Sequence, residues 1–125
     1  MPILDIDVVV VESETIDLSW AQQIADAAGT VFGTEPGRTW VRVRRLQHSD
    51  YAENGMKDSP DLLPVFVSVL KSQRPPLDAL RVESRKLTLV ISRILERPVE
   101  NVHVLYLPPA AERQSFGGTL VEEPN

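Results

Sequence analysis

The pattern of hydrophobic and polar positions repeats one strand–helix–strand unit twice along the chain. In the first unit, residues 3–10 are rich in β-branched residues, which predicts a strand. Apolar residues then recur at helical spacing over 18–32, and residues 39–44 are predicted to form a second strand. Gly33 is expected to end the helix in a left-handed conformation, and Pro36 prevents the helix from resuming.

The same order of elements returns in the second half. After a polar stretch at 48–60, which predicts turns and loops around Asn54-Gly55, a strand, a helix and a strand are expected at 65–70, 77–96 and 102–107. The two units, about 2–60 and 61–125, are interpreted as a duplication within one domain spanning residues 1–125. They predict an α+β fold, with tandem β-α-β units that form a four-stranded sheet carrying two helices on one face.

Two local signals refine this pattern. Ser19 followed three residues later by Gln22 resembles a capping box, in which the two side chains satisfy backbone N–H groups at the start of a helix. Residues 116–121 contain two consecutive glycines between apolar residues, which predicts a short final strand or a hairpin.

The arrangement predicts an oligomer. Each unit should be a parallel strand pair joined by a right-handed crossover, which places both helices on the same face of the sheet. The strands at 65–70 and 102–107 are apolar nearly throughout, as is typical of strands buried on both faces. One layer of helices cannot cover both faces, so the other face is expected to meet another subunit.

Composition narrows the class of protein. The 125 residues include 42% hydrophobic and 25% charged residues, as in soluble globular proteins. A net charge of −5 argues against a nucleic-acid partner, because there is no basic excess to neutralise phosphates. Without cysteine there is no disulfide framework, and no apolar run reaches the roughly 20 residues of a membrane-spanning helix. The acidic first fifteen residues do not resemble a signal peptide, so we expect a cytoplasmic protein without membrane contact.

Pro2 is the residue with the clearest chemical potential. Methionine before a small residue is usually removed, and removal of Met1 would expose the secondary amine of Pro2 as the N-terminus. An α-amino group has a pKa of about 7.7–8.0 in unperturbed peptides, and apolar surroundings lower this pKa. Such an amine is suited to act as a general base near neutral pH.

Three short segments, together with Pro2, resemble the tautomerase superfamily. They are Val41-Arg42-Val43 on the second strand, Leu70-Lys71-Ser72-Gln73-Arg74 after the third, and Ser115-Phe116-Gly117-Gly118 near the C-terminus. Superfamily members include 4-oxalocrotonate tautomerase, macrophage migration inhibitory factor and malonate semialdehyde decarboxylase. The resemblance implies catalysis by Pro2, a homotrimer and no cofactor.

The resemblance also implies roles for other residues. Arg42 would polarise the substrate, Lys71 and Arg74 would bind its carboxylate, and Phe116 would form an apolar wall. Two family residues are missing. Thr34 is nearest to the lysine of the inhibitory-factor branch, and Gly37 is nearest to the acidic residue of the decarboxylase branch. These departures leave simple tautomerisation as the expected reaction.

The residue chemistry agrees with a tautomerase acting on a small 2-keto or enol carboxylate. The reaction moves one proton between carbon and oxygen, and it needs a base, a cation for the carboxylate and a dry pocket. Pro2 offers the base, the planar fork of Arg74 matches a carboxylate, and Lys71 adds a point charge. Phe116 would exclude water. A metal site is not expected, because the only histidines, His48 and His103, are far apart in sequence.

Alternative interpretations remain open. Arg42 is equally consistent with an edge-strand charge, His103 with a core residue and Tyr106 with a locally hydrogen-bonded hydroxyl. A decarboxylase or hydrolytic dehalogenase on the same fold would need a protonated proline and a second group to activate water. The candidates for that group are Tyr106, His103 and Glu112. A third hypothesis, favoured if Met1 is retained, is a catalytically weak oligomeric binding module.

Overall fold

A mixed four-stranded sheet with two helices forms the body of the protein. The computed structural model describes residues 2–12, 17–56 and 62–122. Its main elements are β1 (Ile3–Val10), α1 (Trp20–Phe32), β2 (Trp40–Gln47), β3 (Val65–Leu70), α2 (Leu77–Leu95), β4 (Val102–Tyr106), β5 (Ser115–Phe116) and β6 (Thr119–Leu120). Short 3₁₀ turns follow β2 at His48–Asp50 and α2 at Val99–Asn101. Within the described ranges, no helix is long and apolar enough to cross a membrane.

The sheet order is β2-β1-β3-β4, which confirms the tandem β-α-β arrangement. β1 pairs with β2 and β3 pairs with β4 in parallel, so each unit is one parallel pair with its helix between the strands. The two units meet where β1 runs antiparallel to β3, with Ile6 opposite Val67. The predicted α+β class and the four-stranded sheet are therefore correct.

The core lies between the sheet and the helices. Alternate residues of β1 (Leu4, Ile6 and Val8) are fully buried, as the two-residue period of a strand requires. They pack in one cluster with α1 and α2, which contribute Ile24 and Ile91 among others. Each buried side chain of this size stabilises the fold by about 1.5–3 kcal/mol.

The opposite face of the sheet, which we call the open face, is covered by neither α1 nor α2. Its β3–β4 half carries Phe66 and Leu105, which are 39% and 61% exposed, together with His103. Its β1–β2 half carries charges: Arg42 pairs with Asp5 and Arg44 with Asp7 across the parallel strands. The open face therefore combines exposed apolar side chains with paired charges.

The helix ends agree only in part with prediction. Gly33 ends α1 with φ 68° in the left-handed region, as expected, and its N–H bonds back to the Thr30 carbonyl. The predicted capping box is wrong. Ser19 makes no side-chain bond to the backbone N–H groups of the helix, because its hydroxyl instead bonds Asp17 and receives the Gln23 amide. Gln22 bonds Asp26 on the next turn.

Two strand boundaries also differ from the sequence pattern. β2 continues to Gln47, beyond the predicted end at residue 44, and Arg45 in this extension is partly buried. Its guanidinium lies 4.6 Å from the centre of the Trp20 ring and bonds the Asp17 carbonyl, which attaches β2 to the start of α1. β4 ends at Tyr106, one residue earlier than predicted.

The predicted loop at 48–60 is described only as far as residue 56. It contains the 3₁₀ turn at His48–Asp50 and then a turn at the expected Asn54-Gly55, where Gly55 has φ 79°. Residues 57–60 of that prediction, like Met1, lie outside the described residues.

Candidate functional site

A tight turn between α1 and β2 forms one wall of the candidate site. Glu35-Pro36-Gly37-Arg38 has the pattern of a type II turn: proline at the second position, and at the third a glycine with φ 80°. The Arg38 N–H closes the turn on the Glu35 carbonyl at 3.1 Å. The Trp40 indole N–H donates to the Gly37 carbonyl at 3.0 Å. These bonds hold Glu35 and Arg38 side by side.

The C-terminal segment forms the facing wall. After β4 the chain passes beside the β3–α2 corner, where the N–H groups of Ala110 and Ala111 donate to the carbonyls of Lys71 and Ser72 at 2.8 and 3.1 Å. A two-residue hairpin follows, with Gly117 and Gly118 both at positive φ, as a type I′ turn requires. The predicted short hairpin is therefore present.

Phe116 joins the two walls. Its ring packs edge-on against Trp40 of β2, with ring centroids 5.2 Å apart. Between the walls lies a cavity of about 470 Å³, which is in the size range of small-molecule sites. It is lined by Thr34, Glu35, Arg38, Leu70, Ser72, Ala110, Gln114, Phe116 and Val121. The cavity is thus largely apolar, with charges only on the turn.

Pro2 lies beside this cavity but does not line it. The residue is buried, and its carbonyl accepts the Trp40 N–H at 3.0 Å. Because Ile3 pairs with Trp40 in the parallel ladder, Pro2 lies opposite Thr39, the residue after Arg38. On the other side, Ile3 is paired with the cavity residue Leu70. Pro2, the residue before β1, therefore lies between the end of β3, where Leu70 lines the cavity, and the turn before β2, where Arg38 lines it.

Lys71 is engaged with other residues on the helix side of the sheet. Its Nζ lies 2.8 Å from Glu83 Oε1 on α2, and the two side chains are 20% and 13% exposed. The second oxygen of Glu83 accepts the Tyr106 hydroxyl at 2.8 Å. Burial and this hydrogen bond raise the pKa of Tyr106, so the phenol stays protonated and donates. The Lys71 ammonium also lies 5.0 Å from the centre of the Phe32 ring.

Replacing Glu83 with glutamine should destabilise the protein by about 1–3 kcal/mol, because it leaves a half-buried ammonium without its carboxylate. Urea unfolding of Glu83→Gln and of the double variant with Lys71→Met checks this. The double variant should recover much of the loss, since it removes the unpaired charge. Equal stability of Glu83→Gln and the unmodified protein would contradict a stabilising Lys71–Glu83–Tyr106 cluster.

The two predicted arginines have different surroundings. Arg42 is bound by Asp5 through two hydrogen bonds of 2.7 and 2.8 Å on the open face, and this interaction lowers the pKa of Asp5. Arg74 is exposed on the loop after β3 and does not line the cavity. Among the described residues, its side chain has no hydrogen bond or ion pair. Arg74 is therefore available to a ligand, whereas Arg42 and Lys71 already contact carboxylates.

The candidates for activating water do not line the cavity. His103 lies on the open face, with its ring 5.6 Å from that of Phe66, and Tyr106 is bonded to Glu83. Glu112 is exposed at φ 66° in the C-terminal segment. Within the described part of the chain, no group of three histidine or acidic side chains is arranged to hold a metal.

Two residues of the site were missed by sequence reasoning. Glu35 and Arg38 flank Pro36 and Gly37 and were not among the predicted site residues, yet the turn brings both to the cavity. Among the described residues, Arg38 is the one lysine or arginine that lines it. The Pro-Gly dipeptide was the available signal, because it favours a type II turn that brings its first and fourth residues together.

Comparison with known proteins identifies the fold. No family model matches the sequence, and no curated protein matches it. The structure resembles macrophage migration inhibitory factor from Oncomelania hupensis with a TM-score of 0.74 and 17% identity, over 98% of this chain and 83% of that chain. It resembles a symmetric trimer of wild-type fused 4-OT with a TM-score of 0.77 and 12% identity, over 95% and 94%.

A third similar structure is FG41 malonate semialdehyde decarboxylase inhibited by 3-bromopropiolate. The TM-score is 0.69 at 16% identity, over 92% of this chain and 88% of that chain. All three proteins are tautomerase superfamily members. The fold of this chain is therefore the tautomerase fold, and the resemblance inferred from its short motifs is confirmed at the level of structure.

Proposed function

We propose that the protein is a cofactor-independent tautomerase of small 2-keto or enol carboxylates, with the amine of Pro2 as general base and acid. The observation that carries this proposal is the position of Pro2. It is buried directly before β1, between the end of β3 and the turn before β2, both of which line a largely apolar cavity of about 470 Å³. The tautomerase fold of the chain supports the same conclusion.

The proposed reaction is a proton transfer from oxygen to carbon. The free amine of Pro2 takes the proton from the enol hydroxyl, and the electrons left on the oxygen form the carbonyl double bond. The electrons of the former carbon–carbon double bond move to the adjacent carbon. The adjacent carbon then takes the proton back from the prolinium, which regenerates the amine. Phe116 and Leu70 exclude water from the cavity, which strengthens each ionic contact made there.

We assign substrate binding chiefly to Arg74, the cation without a protein partner on the β3–α2 loop. Lys71 and Arg42 are weaker candidates, because each would have to leave a carboxylate, Glu83 or Asp5. Ketonisation of phenylenolpyruvate by the processed protein, in the presence of EDTA and without added cofactor, tests the proposed activity. A rate equal to the uncatalysed one would overturn the proposal.

We also propose a homotrimer formed through the open face. The exposed apolar side chains of β3 and β4, among them Phe66 and Leu105, favour burial against another subunit. Trimeric fused 4-OT has the same fold. Sedimentation equilibrium should give three times the 14.0 kDa chain mass. In that case, Leu105→Glu should shift the protein toward monomers, because it places a charge within the proposed interface.

The exposed Leu89 of α2 offers a matched control for this experiment. Leu89→Glu adds the same charge on the helix side of the molecule and should leave the trimer intact. A stable monomer of the unmodified protein, or equal effects of the two substitutions, would contradict the proposed interface.

A further inference from the structure

The charges of the Glu35–Arg38 turn differ from the charges on the neighbouring strands. Arg42 and Arg44 on β2, and Lys71 directly after β3, all contact carboxylates of this chain. Among the described residues, the side chains of Glu35 and Arg38 have neither a hydrogen bond nor an ion pair. Yet both line the cavity next to Pro2.

The two charges also do not neutralise each other. The first and fourth residues of a β-turn have Cα atoms less than about 7 Å apart, so Glu35 and Arg38 are close neighbours. No ion pair joins them within the described residues. Their turn is held by backbone bonds and by the Trp40 indole. The turn therefore presents one cation and one hydrogen-bond acceptor, both exposed, to a cavity whose other polar lining residues, Thr34, Ser72 and Gln114, are uncharged.

We propose that Arg38 and Glu35 form a recognition pair for 2-hydroxy and 2-enol carboxylates, in which Arg38 binds the carboxylate and Glu35 accepts the hydrogen bond of the neighbouring hydroxyl. Such a ligand carries an anionic group and an O–H donor on adjacent carbons, which matches the two charges of the turn. A guanidinium donates to both oxygens of a carboxylate, and a carboxylate is the strongest acceptor for a hydroxyl.

This pair deepens the proposed tautomerase function, on which its role in catalysis rests. The enol form of the substrate carries the hydroxyl, and the keto form does not. Before the hydroxyl proton passes to Pro2, Glu35 would therefore favour binding of the enol over the keto acid, while Arg38 would hold both. Arg74 lies on the β3–α2 loop, outside the cavity. Because a carboxylate has two oxygens, it could accept hydrogen bonds from the guanidinium groups of both Arg38 and Arg74.

Binding of two unreactive carboxylates tests the proposal without any turnover. Benzoylformate is a 2-keto acid with no hydrogen to lose on carbon, and mandelate is the matching 2-hydroxy acid. Calorimetric titration of the processed protein should show that Arg38→Ala weakens both by about tenfold or more, the loss of one charge-assisted contact. The methyl esters should be affected little. Arg85→Ala, which removes an exposed cation from α2, should leave all four affinities unchanged.

The Glu35→Gln variant tests the second half of the pair. It keeps the shape of the side chain but replaces a charged acceptor with a neutral one. The preference for mandelate over benzoylformate should fall by about threefold to tenfold. The proposal would be overturned if Arg38→Ala bound both acids normally and only Arg74→Ala bound them more weakly. An unchanged preference for mandelate over benzoylformate in Glu35→Gln would also overturn it.

The outcomes separate this inference from the proposed function. If processed protein binds mandelate through Arg38 but does not accelerate ketonisation, the tautomerase proposal fails and the recognition pair stands. If ketonisation is fast while Arg38→Ala binds both acids normally, the recognition pair fails and the tautomerase proposal stands.

Discussion

Replacing Arg74 with alanine is expected to raise the KM for phenylenolpyruvate by about tenfold to a hundredfold, the loss of one hydrogen-bonded charge contact of 1.5–3 kcal/mol. The guanidinium is exposed on the β3–α2 loop and has no partner among the described residues, so its removal breaks no contact of the fold. Stability should therefore stay close to that of the unmodified protein. If the contact tightens in the transition state, kcat should fall as well.

The conservative variant and a matched control make this result specific. Arg74→Lys should recover only part of the loss, because an ammonium cannot reproduce the two parallel bonds of a guanidinium. Arg85→Ala removes one positive charge from the exposed surface of α2 and should leave KM unchanged. An unchanged KM in Arg74→Ala, or an equal rise of KM in Arg85→Ala, would count against a role of Arg74 in binding.

Most of the fold could be predicted from the sequence, because its strands and helices have strong and different periods. The alternating burial of Leu4, Ile6 and Val8 is the pattern of a half-covered strand, and the tandem order of elements predicted the two parallel pairs of the sheet. The antiparallel junction of β1 with β3 was not predicted. The errors lie where a polar side chain has an unexpected partner. Arg45 packs on Trp20 and extends β2, and Ser19 binds side chains rather than the helix backbone.

The candidate site was less accessible to sequence reasoning. Candidate cations could be identified as lysines and arginines, but whether such a side chain is available to a ligand depends on its partners in the fold. Arg42 meets Asp5 across 37 positions of the chain, and Lys71 meets Glu83 across 12. Neither pair follows from local pattern, since each depends on strand register or on how α2 packs against the sheet. Arg38 was overlooked for the opposite reason, because a turn charge usually faces solvent.

The pH dependence of the rate distinguishes the proposed tautomerase from other reactions on the same fold. If the Pro2 amine acts as a base, the rate should rise with pH through one ionisation below about 8, the ordinary value for an α-amino group. A decarboxylase or hydrolytic dehalogenase that uses a protonated proline would show the opposite limb. None of the expected water-activating candidates, Tyr106, His103 or Glu112, lines the cavity. We therefore expect the rising limb.

The largest effect is expected at Pro2 itself. Processed protein has a secondary amine at its N-terminus, whereas in protein that retains Met1 the same nitrogen is a tertiary amide. An amide nitrogen has no lone pair available for proton transfer, so activity should fall by about 100-fold or more, the typical contribution of general base catalysis. Pro2→Ala, once processed, still has a primary amine and should keep part of the activity.

Comparing ketonisation by processed and Met1-retaining protein, each verified by mass spectrometry of the intact chain, tests the central claim most directly. Both forms have the same Arg74 and the same Phe116, and they differ in Met1 and in the Pro2 nitrogen, which is an amine in one and an amide in the other. We expect the processed form to catalyse phenylenolpyruvate ketonisation and the Met1-retaining form to bind benzoylformate but turn over little enol. Equal rates in the two forms would exclude Pro2 as the catalyst, and the chain would then be better described as an oligomeric binding module.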